Sequence, residues 1–255
     1  MTLKMTFLGS GSAFTNGPDN FQSNVLFEMD DDSLLVDAGT DVRHSLRAQK
    51  LNYTDIKNVY VSHLHCDHCG GLEWLALTTY FDPNYKGKPT LLTSEHIIND
   101  LWSKTLSGGL STLNTESATL DTFFNVQTIN AKEGFTWHSI DFQLVQTIHF
   151  CSNYALMPSF GFIFTYNKTR IFYTTDTQYT PDKLMKFYEE ADIIFHDCET
   201  QAHKSGVHAH YTELLELPEH IRKKMWLYHY NPGTLPDAKK DGFLGFVLKG
   251  QCFTF

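Results

Sequence analysis

Cysteine is scarce in this chain and odd in number, five in 255 residues. That excludes a disulfide framework and fits a reducing compartment. Cys66 and Cys69 form a CxxC, but no second pair accompanies it, so it is not read as a zinc ribbon or a redox motif. Basic residues are also few: Lys and Arg total 20 against 29 Asp and Glu, a formal charge of -9. Gripping a phosphate backbone takes Lys and Arg, so long nucleic acid is not an expected partner. No run of about 18 apolar residues occurs, so no membrane span is expected. The opening MTLKMTFLGSGS lacks the apolar stretch of a secretory leader. These absences point to a soluble cytoplasmic protein.

What is present is ample core material. Hydrophobic residues make up 42% and aromatics 14% of the chain, enough for one substantial domain over residues 1–255. Residues 3–8, 24–29 and 33–37 read as strands, the last two closed into a hairpin by Asp30, Asp31 and Asp32 at a solvated tip. A helix is expected over 41–49, another from Gly70 or Gly71, and a third from a Ser94 cap through Trp102. In the second half, 141–149, 160–166 and 170–175 read as strands, and 181–190 as a helix with proline at its first position. The apolar runs ADIIF and MWLYH read as two more buried strands. Strands interleaved with helices imply a layered α/β protein with its helices outside. Trp74, Trp102, Phe123 and Phe124 are assigned to core packing, whereas Tyr154 and Phe160 are candidates to stack on a base.

Histidine is abundant, 13 in all, and its placement carries chemistry. The segment from His63 to His68 packs His63, His65, Asp67 and His68 into six residues directly after a buried strand. Imidazole with carboxylate suits zinc, iron or manganese. His63 and His65, at i and i+2, point the same way from an extended strand end, and Asp67 and His68 lie a turn further on. Four ligands this close cannot all wrap one ion, so two adjacent ions are expected, each completed from elsewhere. His149, Asp176 and His229 each follow an apolar strand and are the candidates.

With these residues in hand, the sequence resembles the metallo-β-lactamase superfamily, whose HxHxDH motif matches His63, His65, Asp67 and His68. The likeness runs from KMTFLGSGSAF through LLVDAGT to the last quarter. It implies a four-layer αββα sandwich with a two-metal site at one edge. His63, His65 and His149 would hold one ion, Asp67, His68 and His229 the other, and Asp176 would bridge them. Two zinc ions are implied, with manganese as the alternative.

FLGSGS, TTDT at 174–177 and the stretch around Asp197 and HAHYT resemble the phosphodiesterase branch near tRNase Z. That branch implies a histidine that protonates the leaving group and an acid that orients it. His210 matches the histidine with His208 competing, and Asp197 matches the acid with Glu199 competing. Asp67 would also help orient the attacking water. Unlike tRNase Z, the chain has no basic, glycine-rich arm. LWSKTLSGGL, YALMPSFGF and GVHAHYTEL are similar to cyclic-nucleotide phosphodiesterases of the anti-Pycsar type. That resemblance implies a homodimer hydrolysing 3′,5′-cyclic mononucleotides, cCMP and cUMP included, in evasion of antiviral signalling, in the host cytoplasm were the source viral. The alternatives are an RNA 3′-end nuclease and a hydrolase of esters, lactones or thioesters.

Overall fold

The computed structural model describes residues 2–113, 117–151 and 156–255. Among them the strands are, in chain order, β1 (Lys4–Gly9), β2 (Asn24–Met29), β3 (Asp32–Val36), β4 (Asn58–Val61), β5 (Thr90–Ser94), β6 (Asn125–Ile129), β7 (Phe135–Trp137), β8 (Ile140–Cys151), β9 (Leu156–Tyr166), β10 (Thr169–Tyr173), β11 (Ile193–Asp197), β12 (Met225–Tyr228), β13 (Gly245–Phe246) and β14 (Cys252–Thr254). They form two seven-stranded sheets, ordered β14-β1-β2-β3-β4-β5-β6 and β13-β12-β11-β10-β9-β8-β7. Each sheet has an antiparallel part and a parallel part: β3 through β6 run parallel in the first, β10 through β13 in the second.

Aromatic side chains weld the sheets face to face. Phe7 meets Phe195 at 5.2 Å and Tyr228 at 5.6 Å between ring centres, and Phe27 meets Phe164 at 5.8 Å. The Tyr60 hydroxyl donates to the Phe160 carbonyl at 2.8 Å, a buried bond from β4 to β9. The alternation of side chains along a strand then covers both faces of the second sheet. Ile171, Tyr173, Phe195 and Tyr228 face the first sheet. Phe172, Ile194 and Leu227 face outward, where Leu184 and Tyr188 of helix Pro181–Glu190, with Leu214 and Ile221, cover them. This is why IFY, IIF and WLY are apolar without a break. Each fully buried side chain of this kind contributes roughly 1.5–3 kcal/mol. Helices Val42–Ala48 and Leu72–Phe81 cover the first sheet's outer face, giving the four layers expected.

Several expectations need correction. Ser94 closes β5 and caps no helix through Trp102; a helical turn starts at Ile98 and widens into a π-helix over Leu101–Leu106. Phe160 is 2% exposed, with its ring against His96, so it is core and not free to stack on a base. Tyr154 lies outside the described residues. Trp74, Trp102, Phe123 and Phe124 pack in or against the core. Among the described residues no helix is long and apolar enough to cross a membrane.

Candidate metal centre

Parallel neighbouring strands bring their carboxyl ends to one edge, where loops can converge. β4 delivers Ser62 and His63, β10 leads into Asp176, β11 ends on Asp197, and β12 leads into His229. A single helical turn, Cys66–Cys69, presents Asp67 and His68. His149 lies within β8 where the pairing with β9 shifts register between Ile148 and Phe150, an irregularity that re-aims one side chain. Asp37, Thr175 and His229, each just past a strand end, adopt positive φ of 64°, 53° and 62°. Left-handed backbone at non-glycine residues is strained, above all at β-branched threonine, and such strain gathers at functional sites.

The expected ligands come together as two four-donor sets. The first is His63 Nε2, His65 Nδ1, His149 Nε2 and Asp176. His65 Nδ1 lies 3.2 Å from His63 Nε2 and 2.9 Å from His149 Nε2, and Asp176 Oδ2 lies 3.7 and 3.6 Å from the latter two. The second is Asp67, His68, Asp176 and His229. Here Asp67 Oδ2 and Asp176 Oδ2 lie 3.2 Å each from His68 Nε2, and 3.2 and 3.4 Å from His229 Nε2. A tetrahedral ion with bonds of about 2.0–2.1 Å has donor–donor edges of about 3.3–3.4 Å. Both sets match that size, and Asp176 Oδ2 belongs to both. Buried Asp176 Oδ1 makes no hydrogen bond. Burial without a partner is costly for such an atom, and a divalent cation removes that cost. The residues present therefore fit two metal ions.

The titration behaviour separates the sets. Burial pushes His63 and His149 below the usual imidazole range and His65 down to about 4, so all three offer neutral lone pairs. Burial alone would lower His68 and His229 too. The carboxylates of Asp176, Asp67 and Asp37 outweigh it at His68, and those of Asp176, Asp197 and Asp67 raise His229 to about 10. Without an ion these two rings hold protons that metal must displace. Zinc titrated into metal-free protein at pH 7 should therefore release protons into the buffer, and affinity should fall as pH is lowered. Calorimetry in two buffers of different ionisation enthalpy measures this; metal binding with no proton release would contradict it.

Further hydrogen bonds fix the ligand rings. His68 Nδ1 donates to Asp37 Oδ2 at 2.7 Å, and the Ser62 hydroxyl donates to the same oxygen at 2.7 Å. Ser62 N–H takes Asp37 Oδ1 at 2.8 Å, and His149 Nδ1 donates to the Val207 carbonyl at 2.7 Å. Such partners set tautomer and orientation. Asp37 was not among the expected residues, although it carries their signal, an acid directly after an apolar strand. The CxxC is two free thiols; Cys69 is buried, which pushes it up to about 12.

His208 and His210 stand differently toward the donor sets. His210 Nε2 is taken by the Gln201 carbonyl at 2.8 Å and Nδ1 by Thr212. Its residue caps the helical turn Tyr211–Leu214, with Glu213 reaching back to the His210 N–H at 3.0 Å. His208 instead lines the metal cavity, its ring 4.7 Å from that of His149 and 4.8 Å from that of His229. His208 Nδ1 donates to Asp197 Oδ2 at 2.8 Å, the same oxygen that accepts from Thr177 N–H. Burial pulls the His208 pKa down, but Asp197 prevails and raises it. Glu199 accepts from Ser205 N–H at 2.9 Å and touches neither ring by a side-chain bond. The sequence signal was available: Glu three residues after His210 is a capping box.

The donor sets open into a cavity of about 320 Å³, within the range of small-molecule sites. Phe14, Phe150, Gln201 and Asn231 stand on its walls, and no Lys or Arg lines it among the described residues.

The model of the family "Anti-Pycsar protein Apyc1" matches residues 3–253. An anti-Pycsar protein Apyc1 of Paenibacillus harenae is 36% identical over 232 residues, 89% of this chain and 90% of that protein. Among solved structures, the metallo-β-lactamase fold protein YhfI from Bacillus subtilis superposes with a TM-score of 0.76 at 20% identity, covering both chains fully. The short form of human tRNase Z superposes at 0.68 with 19% identity, covering 98% of each chain. These two likenesses establish the metallo-β-lactamase fold.

Proposed function

The chain belongs to the anti-Pycsar protein Apyc1 family, and from that premise we propose that it is a two-zinc phosphodiesterase hydrolysing 3′,5′-cyclic mononucleotides to linear monophosphates. The observation that carries this reading is the pair of four-donor sets sharing Asp176 on a small cavity without Lys or Arg. A cyclic phosphodiester brings one negative charge to the donor sets. A longer polyanion would bring flanking phosphates to a wall offering Glu199 and, among the described residues, no Lys or Arg. When bound, two divalent ions supply Lewis acidity toward water and toward the phosphoryl oxygens.

The chain's own residues do the rest. Asp67, on the cavity wall and 3% exposed, would accept a hydrogen bond from the attacking water and fix its direction. His208 has Nδ1 committed to Asp197, which leaves Nε2 to protonate the departing alkoxide. Asp197 orients His208 and, at 3.4 Å from His229 Nδ1, also steadies that ligand. The same reading carries manganese as a substitute metal, and a homodimer acting in the cytoplasm.

Purified protein loaded with zinc or manganese should convert cyclic mononucleotides, cCMP and cUMP included, to linear monophosphates and leave precursor tRNA intact. Chromatography of a substrate panel decides it: efficient tRNA processing with every cyclic mononucleotide untouched would refute the reading.

A further inference from the structure

Large apolar side chains left in water are few here. Phe14, Tyr80, Phe81, Phe150, Leu156 and Leu248 are the exposed ones among the described residues. Phe14, at 73%, and Phe150, at 45%, both stand on the wall of the metal cavity. They arrive from separate parts of the fold. Phe14 rides the loop between β1 and β2, and Phe150 follows His149 just past the β8 irregularity, its ring 6.0 Å from that of His65. The fold gains little from Phe14 and only part of a ring's burial from Phe150. Exposed aromatic surface bordering a polar, concave centre is the mark of a ligand site.

We infer that Phe14 and Phe150 are the walls that hold a planar nucleobase while its cyclic phosphate reaches the donor sets. The inference rests on the phosphodiesterase reading above. The donors deal with the phosphate, but nothing in them grips the rest of a nucleotide. Asn231, which also lines the cavity, has its side-chain oxygen accepting from Thr200 N–H at 2.9 Å and its amide group 3.4 Å from Ser12 Oγ. Its polar atoms are thus largely engaged within the protein, which leaves Gln201 for a polar contact and the apolar rings as the stacking surface for a base. Aromatic stacking suits this, since every base has a π-face.

The test compares Phe14→Ala, Phe150→Ala, Phe14→Leu and Phe14→Trp with the parent protein on a cyclic nucleotide and on a base-free ribose 3′,5′-cyclic phosphate. Truncating a ring that stacks on a base weakens binding by roughly 5- to 150-fold. Each alanine variant should raise KM for the cyclic nucleotide within that range, with kcat changed far less and the base-free substrate little affected. Phe14→Leu should fail to restore KM and Phe14→Trp should restore it. Phe81→Ala, an exposed ring away from the cavity, serves as the control. Unchanged KM in both alanine variants, or equal losses with and without a base, would overturn the inference. Calorimetric binding of the same two ligands separates it from the parent reading. A phenylalanine-dependent Kd without turnover refutes the phosphodiesterase and keeps the walls. Turnover indifferent to both rings does the reverse, and no binding at all refutes both.

Discussion

Asp176→Ala should cost the protein both metal ions, not one. Asp176 Oδ2 lies within 3.7 Å of a coordinating nitrogen on His63, His68, His149 and His229, so it is the corner that the two donor sets share. Each set would drop from four protein donors to three, and ions held there would lose the carboxylate common to both sets. A bound Lewis acid is worth several kcal/mol to a phosphoryl transition state, and each 1.36 kcal/mol is tenfold in rate. The expected fall in kcat/KM is therefore about 10⁴-fold or more. In the metal-free protein the change also leaves protonated His68 and His229 short of a buried partner. Breaking a buried pair in that way costs about 3–5 kcal/mol. Zinc should raise the Tm of the parent protein and leave that of the variant nearly still, because only a bound ligand stabilises by mass action. Metal analysis and thermal melting, with and without zinc, read this directly. Retention of two ions per chain in the variant would sink the shared-corner assignment.

The legibility of this site in the sequence follows from chain geometry. His63, Asp176, Asp197 and His229 were visible because each sits where an apolar strand stops, and parallel strands bring such ends to one edge. His149 was visible by the same rule for another reason. Its strand runs on to Cys151, and only the local break in pairing turns the ring inward, which no residue pattern announces. Asp37 carried the same strand-end signal, yet its task of orienting His68 depends on a contact across 31 positions. Phe160 was misread although Phe160, Phe162 and Phe164, at period two, share one face of β9 and all join the core. β6 and β14 were missed because they are edge strands, NVQTI and CFT, whose existence depends on the neighbour they pair with.

The HAH segment sets the sharpest contrast. His208→Ala should lower kcat on a cyclic nucleotide by about 10²–10⁴-fold, the usual worth of a placed general acid. His210→Ala should change kcat only a few-fold. The two rings are one residue apart in the chain but differ in what holds them. His208 has one nitrogen on Asp197 and lines the cavity, whereas both nitrogens of His210 are spent within its own loop and helix cap. Loss of that cap costs about 1 kcal/mol, so His210→Ala should appear in thermal melting as a drop of roughly 2–4 °C. The leaving group supplies a readout that a merely structural histidine would not move. A ribose alkoxide needs a proton as it departs; a p-nitrophenolate does not. His208→Ala should therefore be far less impaired on a p-nitrophenyl phosphodiester than on a cyclic nucleotide, with metal content measured alongside because His208 packs on the rings of His149 and His229. Equal losses on both substrates at full metal occupancy would remove His208 from the proton's path, and a large kcat loss in His210→Ala with an unchanged Tm would return the role to the residue that the sequence first suggested.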